Sequence, residues 1–120
     1  MNTIDWLKKI VSAIDAKDSD NFVSYFTENG IFRFGNSEPV HGKQSIRNYV
    51  AEFFKMINKS EHKVINFWEK DGSVVWQGEV IYTRLDEKKV KINFTNILYM
   101  NGDFINEYLI YIDNTPLFAL

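Results

Sequence analysis

Polar side chains that could bind a ligand or transfer protons recur in the C-terminal half of the chain. They are Tyr82, Arg84, Asn96, Glu107, Tyr111 and Asp113, of which Tyr82 and Arg84, and again Tyr111 and Asp113, are two positions apart. Alternate residues of a β-strand point to the same side, so Tyr111 and Asp113 would share a face. Carboxyl, phenol and amide groups can act as acids, bases or hydrogen-bond donors, but burial is costly unless they pair, become neutral or meet a ligand. The pattern indicates a polar site if these faces line an interior cavity.

Composition and charge exclude several other kinds of site. A formal net charge of -2 argues against a nucleic-acid partner, which needs a basic surface. Cysteine is absent, which removes thiolate nucleophiles and cysteine metal sites. His41 and His62 are too few for a zinc site without carboxylates, so we expect no metal and no cofactor. We interpret both histidines as solvated or bound to local backbone, because no nucleophile–base pair is visible.

The ends and the hydropathy of the chain bear on its location. No apolar run reaches the roughly 20 residues that a membrane-spanning helix needs. The segment from Met1 to Trp6 has an early acid and no basic leader, unlike a signal peptide. We therefore predict no membrane partner and a cytoplasmic location.

Hydrophobic periodicity divides the chain into helices followed by strands. Apolar residues recur at helical spacing over 4–14 and 46–57, with a short helix from Asp18 or Ser19 and a short strand at 31–34. From about residue 62 the period is two, which predicts strands at about 62–69, 73–85, 89–100 and 104–113. The short turns between them favour antiparallel pairing. We predict one domain, 1–120, of the α+β class: a curved antiparallel sheet wrapped around an N-terminal helix set, forming a conical pocket.

Several short motifs occur in this order along the chain. They are Ala16-Lys17-Asp18, Phe26-Thr27-Glu28-Asn29-Gly30, His41-Gly42-Lys43 with Ile46, Gly78-Glu79-Val80 with Tyr82-Thr83-Arg84, and Glu107 with Tyr111 and Asp113. With these motifs the chain resembles the nuclear transport factor 2-like superfamily, and within it the SnoaL-like polyketide cyclase branch. That superfamily contains isomerases, cyclases, hydrolases and binding proteins, so the resemblance predicts the fold more sharply than the function.

The resemblance implies which side chains line the pocket. Asp113 would match the acid/base aspartate of SnoaL-like cyclases, and Asn96 would donate a hydrogen bond to a developing enolate. The implied substrate-binding residues are Phe34, Tyr49, Phe53, Trp76, Tyr82, Arg84, Phe94, Leu98, Glu107 and Tyr111. Local alternatives stay open: Asp113 could cap the turn at 114–116 or pair with Arg84, and Asn96 could be a buried amide bonded to its neighbours.

Apolar residues assigned to the other side of the sheet imply a second surface. They are Ile81, Ile92, Ile97, Ile110 and Ile112. A face this apolar would be covered in a homodimer, as is common in the superfamily.

Three functions fit these expectations. The first is a cofactor-independent isomerase or cyclase that acts on an apolar, ring-bearing carbonyl compound, with Asp113 as general acid/base. The second is a non-catalytic carrier of the same kind of ligand. The third is a dimeric interaction module without a working pocket.

Overall fold

Residues 2–120 are described by the structure, a computed structural model. The helices are α1 (Thr3–Asp15), α2 (Ser19–Val23), α3 (Lys43–Lys55) and α4 (Thr115–Phe118). The strands are β1 (Phe26–Phe34), β2 (Val40–His41), β3 (Ile57–Lys70), β4 (Ser73–Arg84), β5 (Lys89–Asn101) and β6 (Phe104–Ile112). The expectation about an N-terminal leader rested partly on Met1, which lies outside the described residues.

The helices form where the periodicity predicts them and bury their apolar stripes. Leu7 and Ile10 of α1 are fully buried where that helix packs on β3, and Ile46 of α3 is fully buried against the sheet. Asp18 caps α2, its Oδ1 accepting a hydrogen bond from the backbone N–H of Asn21 at 3.1 Å. Helix α3 presents Tyr49 and Phe53, both half-buried, toward the inner face of the sheet.

The six strands form one sheet in the order β2-β1-β6-β5-β4-β3. The three predicted hairpins are present, so β3 to β6 form an antiparallel meander. The sheet is not antiparallel throughout, because β1 pairs in parallel with β6. The chain can make this pairing because β2, α3 and the strands β3 to β5 lie between β1 and β6 in sequence, which is ample length for a crossover. The α+β fold with a curved sheet and N-terminal helices is confirmed.

Two strands begin earlier than the sequence predicts. β1 begins at Phe26, which pairs with Ile105, and β3 begins at Ile57, which pairs with Arg84. Ile57 continues the apolar stripe of α3 in sequence, and its burial at 2% exposure satisfies that pattern from a strand instead. Periodicity alone cannot tell whether a buried apolar residue just after a helix belongs to that helix or to the following strand. The predicted helix therefore extends to Ile57, and the predicted strand begins too late.

A glycine lets the long strands β3 and β4 bend together. A Cβ at Gly78 would lie 2.5 Å from Cζ of Phe94 and 2.6 Å from the backbone oxygen of Lys63. The β3–β4 register shifts beside it, between Val64 and Asn66. Irregularities of this kind increase local bending and twist, which helps the sheet to curve over the helices.

A bulge in β6 decides which of its side chains face inward. Tyr99 pairs with Glu107 while Met100 pairs with Ile105, so Asn106 is an extra residue on β6. Ile105 and Tyr108 are both buried although they are three positions apart. After the bulge, the inward side chains are Tyr108, Ile110 and Ile112. The prediction that Glu107, Tyr111 and Asp113 face the concave side is therefore wrong.

Candidate functional site

A narrow cavity of about 50 Å³ lies between the inner face of the sheet and the helices. Its wall is mainly aromatic and aliphatic. The lining side chains that carry polar atoms are Tyr49, His62, Tyr82, Asn96 and Tyr108. Small-molecule sites usually occupy about 300–1,000 Å³. The cavity in this conformation therefore has room for a small group rather than for a whole ring-bearing ligand.

His62 is held in the cavity wall by Asp15. The Nδ1 atom of His62 lies 2.6 Å from Oδ1 of Asp15, and the backbone N–H of His62 donates to Oδ2 at 2.9 Å. The hydroxyl of Ser60 donates to Oδ1 at 2.8 Å. Asp15 is the last residue of α1, and Ser60 and His62 alternate on the same side of β3, so packing of that helix on that strand builds the cluster.

The surroundings keep Asp15 ionised at neutral pH. Burial alone would raise the pKa of this carboxyl, but the hydrogen bonds and charge of His62, with the hydrogen bond from Ser60, lower it overall. A carboxylate beside Nδ1 places the ring proton on that nitrogen and leaves Nε2 as the basic atom. Within the described part of the chain, Nε2 has no hydrogen-bond partner. An Asp-oriented imidazole in a cavity wall is an arrangement suited to general acid/base chemistry.

A second polar pair lies deeper in the same wall. Nδ2 of Asn96 donates to the hydroxyl oxygen of Tyr108 at 3.1 Å, and these residues are 3% and 1% exposed. Oδ1 of Asn96 is buried without a partner among residues 2–120. Burial raises the pKa of Tyr108 far above its ordinary value and, together with the charge of Asp15, raises that of Tyr82. Both phenols are therefore neutral hydrogen-bond donors.

Many of the residues assigned from sequence do line the cavity. Those brought together there are Phe34, Tyr49, Phe53, Tyr82, Phe94 and Asn96. Trp76 and Leu98 have the predicted orientation but are fully buried in the core, outside the cavity lining. The ring of Trp76 packs edge-on against Phe94, with centroids 5.1 Å apart.

Asp113 lies outside the cavity, contrary to the prediction. Its side chain is exposed, and Oδ1 accepts a hydrogen bond from the backbone N–H of Thr115 at 3.0 Å. Hydrogen bonding by Thr115 lowers the pKa of this carboxyl, which is the opposite of what burial among aromatic rings would do. The alternative of a carboxyl that caps the turn before α4 is the one that the structure shows.

Three other predicted pocket residues also lie elsewhere. Nη1 of Arg84 donates to the backbone oxygen of Pro116 and Nη2 contacts Asp86, each at 3.1 Å. Tyr111 is 48% exposed, and the guanidinium of Arg33 lies 5.1 Å from its ring centroid. Glu107 is half-buried on the same outer side of β6. Arg84 is thus paired with Asp86 and not with Asp113, the ion pair that the sequence left open.

The sequence interpretation missed Asp15, His62 and Tyr108. A partial signal for Tyr108 is present, because Tyr108, Ile110 and Ile112 form the more apolar alternate set of β6. No local signal links Asp15 with His62, which are 47 positions apart. Only the packing of α1 on β3 brings them together.

Metal and membrane features can be stated for the described residues. No group of three or more His, Asp or Glu side chains within residues 2–120 is arranged to hold a metal ion. None of the helices in that range has the length and apolar character needed to cross a bilayer.

The N-terminal helices and the curved, mostly antiparallel sheet define an α+β fold of the nuclear transport factor 2-like class. The chain belongs to the SnoaL-like domain family, whose model matches residues 7–108. No curated protein matches the sequence at a significant level.

Solved structures share this architecture at low sequence identity. A nuclear transport factor 2-like protein of unknown function from Burkholderia pseudomallei aligns with a TM-score of 0.86 and 10% identity, covering 98% of this chain and 95% of that one. A hypothetical protein from Catenulispora acidiphila with a ketosteroid isomerase-like fold, in complex with trimethylamine, has a TM-score of 0.81 and 12% identity, covering 88% of this chain and 82% of that one. TerC, co-crystallised with polyporic acid, has a TM-score of 0.81 and 14% identity over 94% and 92%. At these identities the likeness shows a shared fold alone.

Proposed function

We propose that the protein binds a largely apolar, ring-bearing carbonyl compound and catalyses its isomerisation or cyclisation without a cofactor, with His62 as general acid/base. The observation that carries this proposal is the 2.6 Å contact between Asp15 and His62 at the wall of an otherwise apolar cavity. Polar groups that perturb one another in a cleft are typical of functional sites. His62 takes the role that the sequence assigned to Asp113.

The proposed step is proton abstraction next to the carbonyl. Nε2 of His62 takes a proton from the α-carbon, the C–H electron pair becomes the C=C bond of the enolate, and the carbonyl oxygen gains the negative charge. Asp15 stabilises the imidazolium that forms. In a β,γ-unsaturated ketone the enolate is conjugated, and return of the proton from His62 to the γ-carbon gives isomerisation. In a ligand with a second carbonyl, attack of the enolate carbon on that carbonyl carbon gives cyclisation, and the alkoxide that forms takes the proton from His62. A positioned acid/base of this kind typically accelerates proton transfer by about 10²–10⁴-fold.

Tyr108 and Asn96 would stabilise the oxygen that gains charge. The Asn96 amide donates to the Tyr108 hydroxyl, and this donation polarises the phenol and makes its own O–H a stronger donor. Because the Tyr108 pKa is raised by burial, the phenol keeps its proton while it stabilises the charge. Asn96 retains the functional place that the sequence gave it, now as a residue that positions and polarises Tyr108.

The aromatic wall supports a flat, ring-bearing ligand. Phe94 and Tyr82 present their rings to His62 at centroid distances of 5.7 and 6.2 Å. Aromatic walls bury planar groups well, and apolar surroundings strengthen the few polar contacts. The complexes of two fold relatives with polyporic acid and trimethylamine support the idea that this fold accommodates small organic molecules.

Deuterium exchange of model ketones tests the proposal without knowledge of the natural ligand. Monocyclic and bicyclic ketones are incubated with the protein in D₂O, and loss of the α-proton signal is followed by NMR. The wild-type protein should accelerate α-proton exchange in those ketones that bind, and His62→Gln should lower the protein-catalysed exchange rate by about 10²–10⁴-fold. His41→Gln, which alters an exposed histidine outside the cavity, is the matched control and should keep the wild-type rate. Undiminished exchange in His62→Gln would refute the assignment.

The carrier alternative makes a different prediction in the same experiment. A carrier would bind ketones with an affinity that depends on the aromatic wall, yet the wild-type protein would not accelerate exchange of any of them. Binding without exchange would thus favour the carrier and remove the catalytic role of His62.

We also propose that the outer face of the sheet forms a homodimer. An apolar cross-strand row runs over this face through Val75, Ile97 and Leu109, which are direct neighbours in the register. Trp68, at the end of the row, is 52% exposed. Contiguous exposed apolar surface of this kind favours association.

The residues assigned to this face from the sequence need correction. Ile81 and Ile97 do point outward, but Ile92 is buried at 6% exposure, and Ile110 and Ile112 line the inner cavity. The bulge at Asn106 explains the last two, because it reverses the alternation in β6. Ile92 keeps the alternation of Phe94 and Asn96, and its inward position follows from that.

A further inference from the structure

An outer hollow of about 410 Å³ adjoins the inner cavity. It is lined by Phe34, Ser37, Tyr49, Glu52, Phe53, Met56, Asn114 and Phe118. Phe34, Tyr49 and Phe53 line both spaces, so the same aromatic side chains form the wall between them. The inner space holds the polar groups and the outer space holds most of the volume.

We propose that the ligand is an elongated molecule, with its carbonyl end in the inner cavity and an uncharged apolar tail in the outer hollow. The inference rests on the proposed function, because His62 and Tyr108 define the end that receives the carbonyl. An inner cavity of about 50 Å³ is too small for a whole ligand, whereas the two spaces together reach the about 300–1,000 Å³ of ordinary small-molecule sites.

The ring of Phe53 is the movable part of the shared wall. It lies between Phe34, at a centroid distance of 5.0 Å, and Tyr82, at 6.0 Å, and it is only partly buried. Phe34 is 7% exposed and belongs to β1 inside the sheet, so its position is fixed by its neighbours. Rotation of the Phe53 side chain would break these two contacts and a third, with Phe54 at 6.4 Å, and would remove part of the wall between the inner cavity and the outer hollow.

The chemistry of the outer hollow selects the kind of tail. The hollow is lined in part by Met56 and Phe118, whose side chains are 53% and 52% exposed. An apolar ligand tail would cover these side chains and remove apolar surface from solvent. Glu52 is the one ionisable side chain in this wall within residues 2–120 apart from the Tyr49 phenol. A carboxylate at the end of the tail would meet this acid, and an alkyl end would not.

The wall supplied by the C-terminal segment is fixed in place at two points. Leu117 is 4% exposed and anchors α4 in the core, while Nη1 of Arg84 donates to the backbone oxygen of Pro116 at 3.1 Å. These anchors hold Phe118 over the hollow. The role of Arg84 is therefore to position α4 at the mouth rather than to contact the carbonyl.

A series of 4-alkylacetophenones with tails from methyl to hexyl tests the inference by titration calorimetry. Affinity should rise by roughly fourfold per added methylene, the factor that corresponds to about 0.8 kcal/mol, until the hollow is filled. Phe118→Ser and Met56→Ser should flatten this dependence while leaving the affinity of tail-free acetophenone unchanged. Phe104→Ser is the matched control, because Phe104 is equally exposed at 51% and lies outside the hollow. A hexyl analogue that ends in a carboxylate should bind more weakly than the plain hexyl compound.

The outcomes separate the inference from the proposed function. In methyl-group NMR, the chemical shift of the Met56 methyl group should change when a long-tailed compound is added to the protein and should stay unchanged when acetophenone is added. If acetophenone binds and the affinity is independent of tail length, the inference is overturned and the proposed function stands. If Phe118→Ser and Phe104→Ser weaken the hexyl compound equally, the outer hollow is not the tail site. If no compound binds, both proposals are overturned.

Discussion

Replacing Asp15 with asparagine tests the cluster on which the site depends. The Asp15 carboxylate accepts three hydrogen bonds, from Ser60 Oγ, His62 N and His62 Nδ1, at 2.8, 2.9 and 2.6 Å. An amide offers one oxygen and an NH₂ group, so at least one donor loses its acceptor and faces another donor. A hydrogen bond to a charged group contributes about 1.5–3 kcal/mol. With the side chain 25% exposed, we expect Asp15→Asn to lower the free energy of unfolding by about 2–4 kcal/mol at pH 7.

The effect has a defined pH dependence. The folded-state pKa of Asp15 is lowered from 3.8, so its ionised form stabilises the fold above that value. This stabilisation is lost as the pH falls through the folded-state pKa. The difference between wild type and Asp15→Asn should therefore be fully present at neutral pH and shrink below about pH 4.

Urea unfolding followed by tryptophan fluorescence measures both quantities. Asp103→Asn is the control, because Asp103 is exposed in a turn and makes no side-chain hydrogen bond or ion pair among the described residues. It should change the free energy of unfolding by less than about 0.5 kcal/mol. If Asp15→Asn is no less stable than Asp103→Asn, the cluster does not hold α1 to β3 as described.

Three further substitutions test the fold, the polar pair and the outer face. Gly78→Ala should lower the free energy of unfolding by about 2–4 kcal/mol, because its Cβ would lie 2.5 Å from the Phe94 ring and 2.6 Å from a backbone oxygen. Gln77→Ala is the control, since Gln77 is the exposed neighbour, and it should lower the free energy of unfolding by less than about 0.5 kcal/mol in the same urea titration. Asn96→Leu removes a buried acceptor without a partner, so the free energy of unfolding should stay within about 1 kcal/mol of wild type while the rate of ketone deuterium exchange falls at least tenfold. If the variant is destabilised by more than that and its folded fraction keeps the wild-type exchange rate, Asn96 has a structural role only. Ile97→Lys should convert the proposed dimer to a monomer, as measured by light scattering at micromolar protein concentration. Asn93→Lys, which changes another outward side chain of β5, should leave the dimer intact. A wild-type protein that is monomeric at this concentration would refute the dimer.

The sequence predicts most of the fold because its strongest signals are local. The apolar stripe of α3 places Ile46 and Phe53 correctly, and alternation in β5 places Phe94 and Asn96 inward. Short turns with Asp, Asn or Gly identify the hairpins. These features depend on residues close together in the chain, which is why they are readable without coordinates.

The site is less predictable because it depends on one bulge and one long-range contact. A single extra residue, Asn106, exchanges the two faces of β6, so Tyr108 replaces Tyr111 in the cavity. The resemblance to SnoaL-like cyclases favoured the polar set with Asp113, against the simpler rule that the more apolar alternate set is buried. The Asp15–His62 contact joins the end of a helix to a strand 47 positions away, and no periodicity reports it.

The comparison of Asp15→Asn with Asp113→Asn in ketone deuterium exchange tests most directly where the acid/base group lies. Both substitutions remove one carboxylate, but only Asp15 contacts the imidazole in the cavity wall. We expect the exchange rate to fall at least tenfold in Asp15→Asn and to stay at the wild-type value in Asp113→Asn. A rate that is lost in Asp113→Asn and kept in Asp15→Asn would contradict the account.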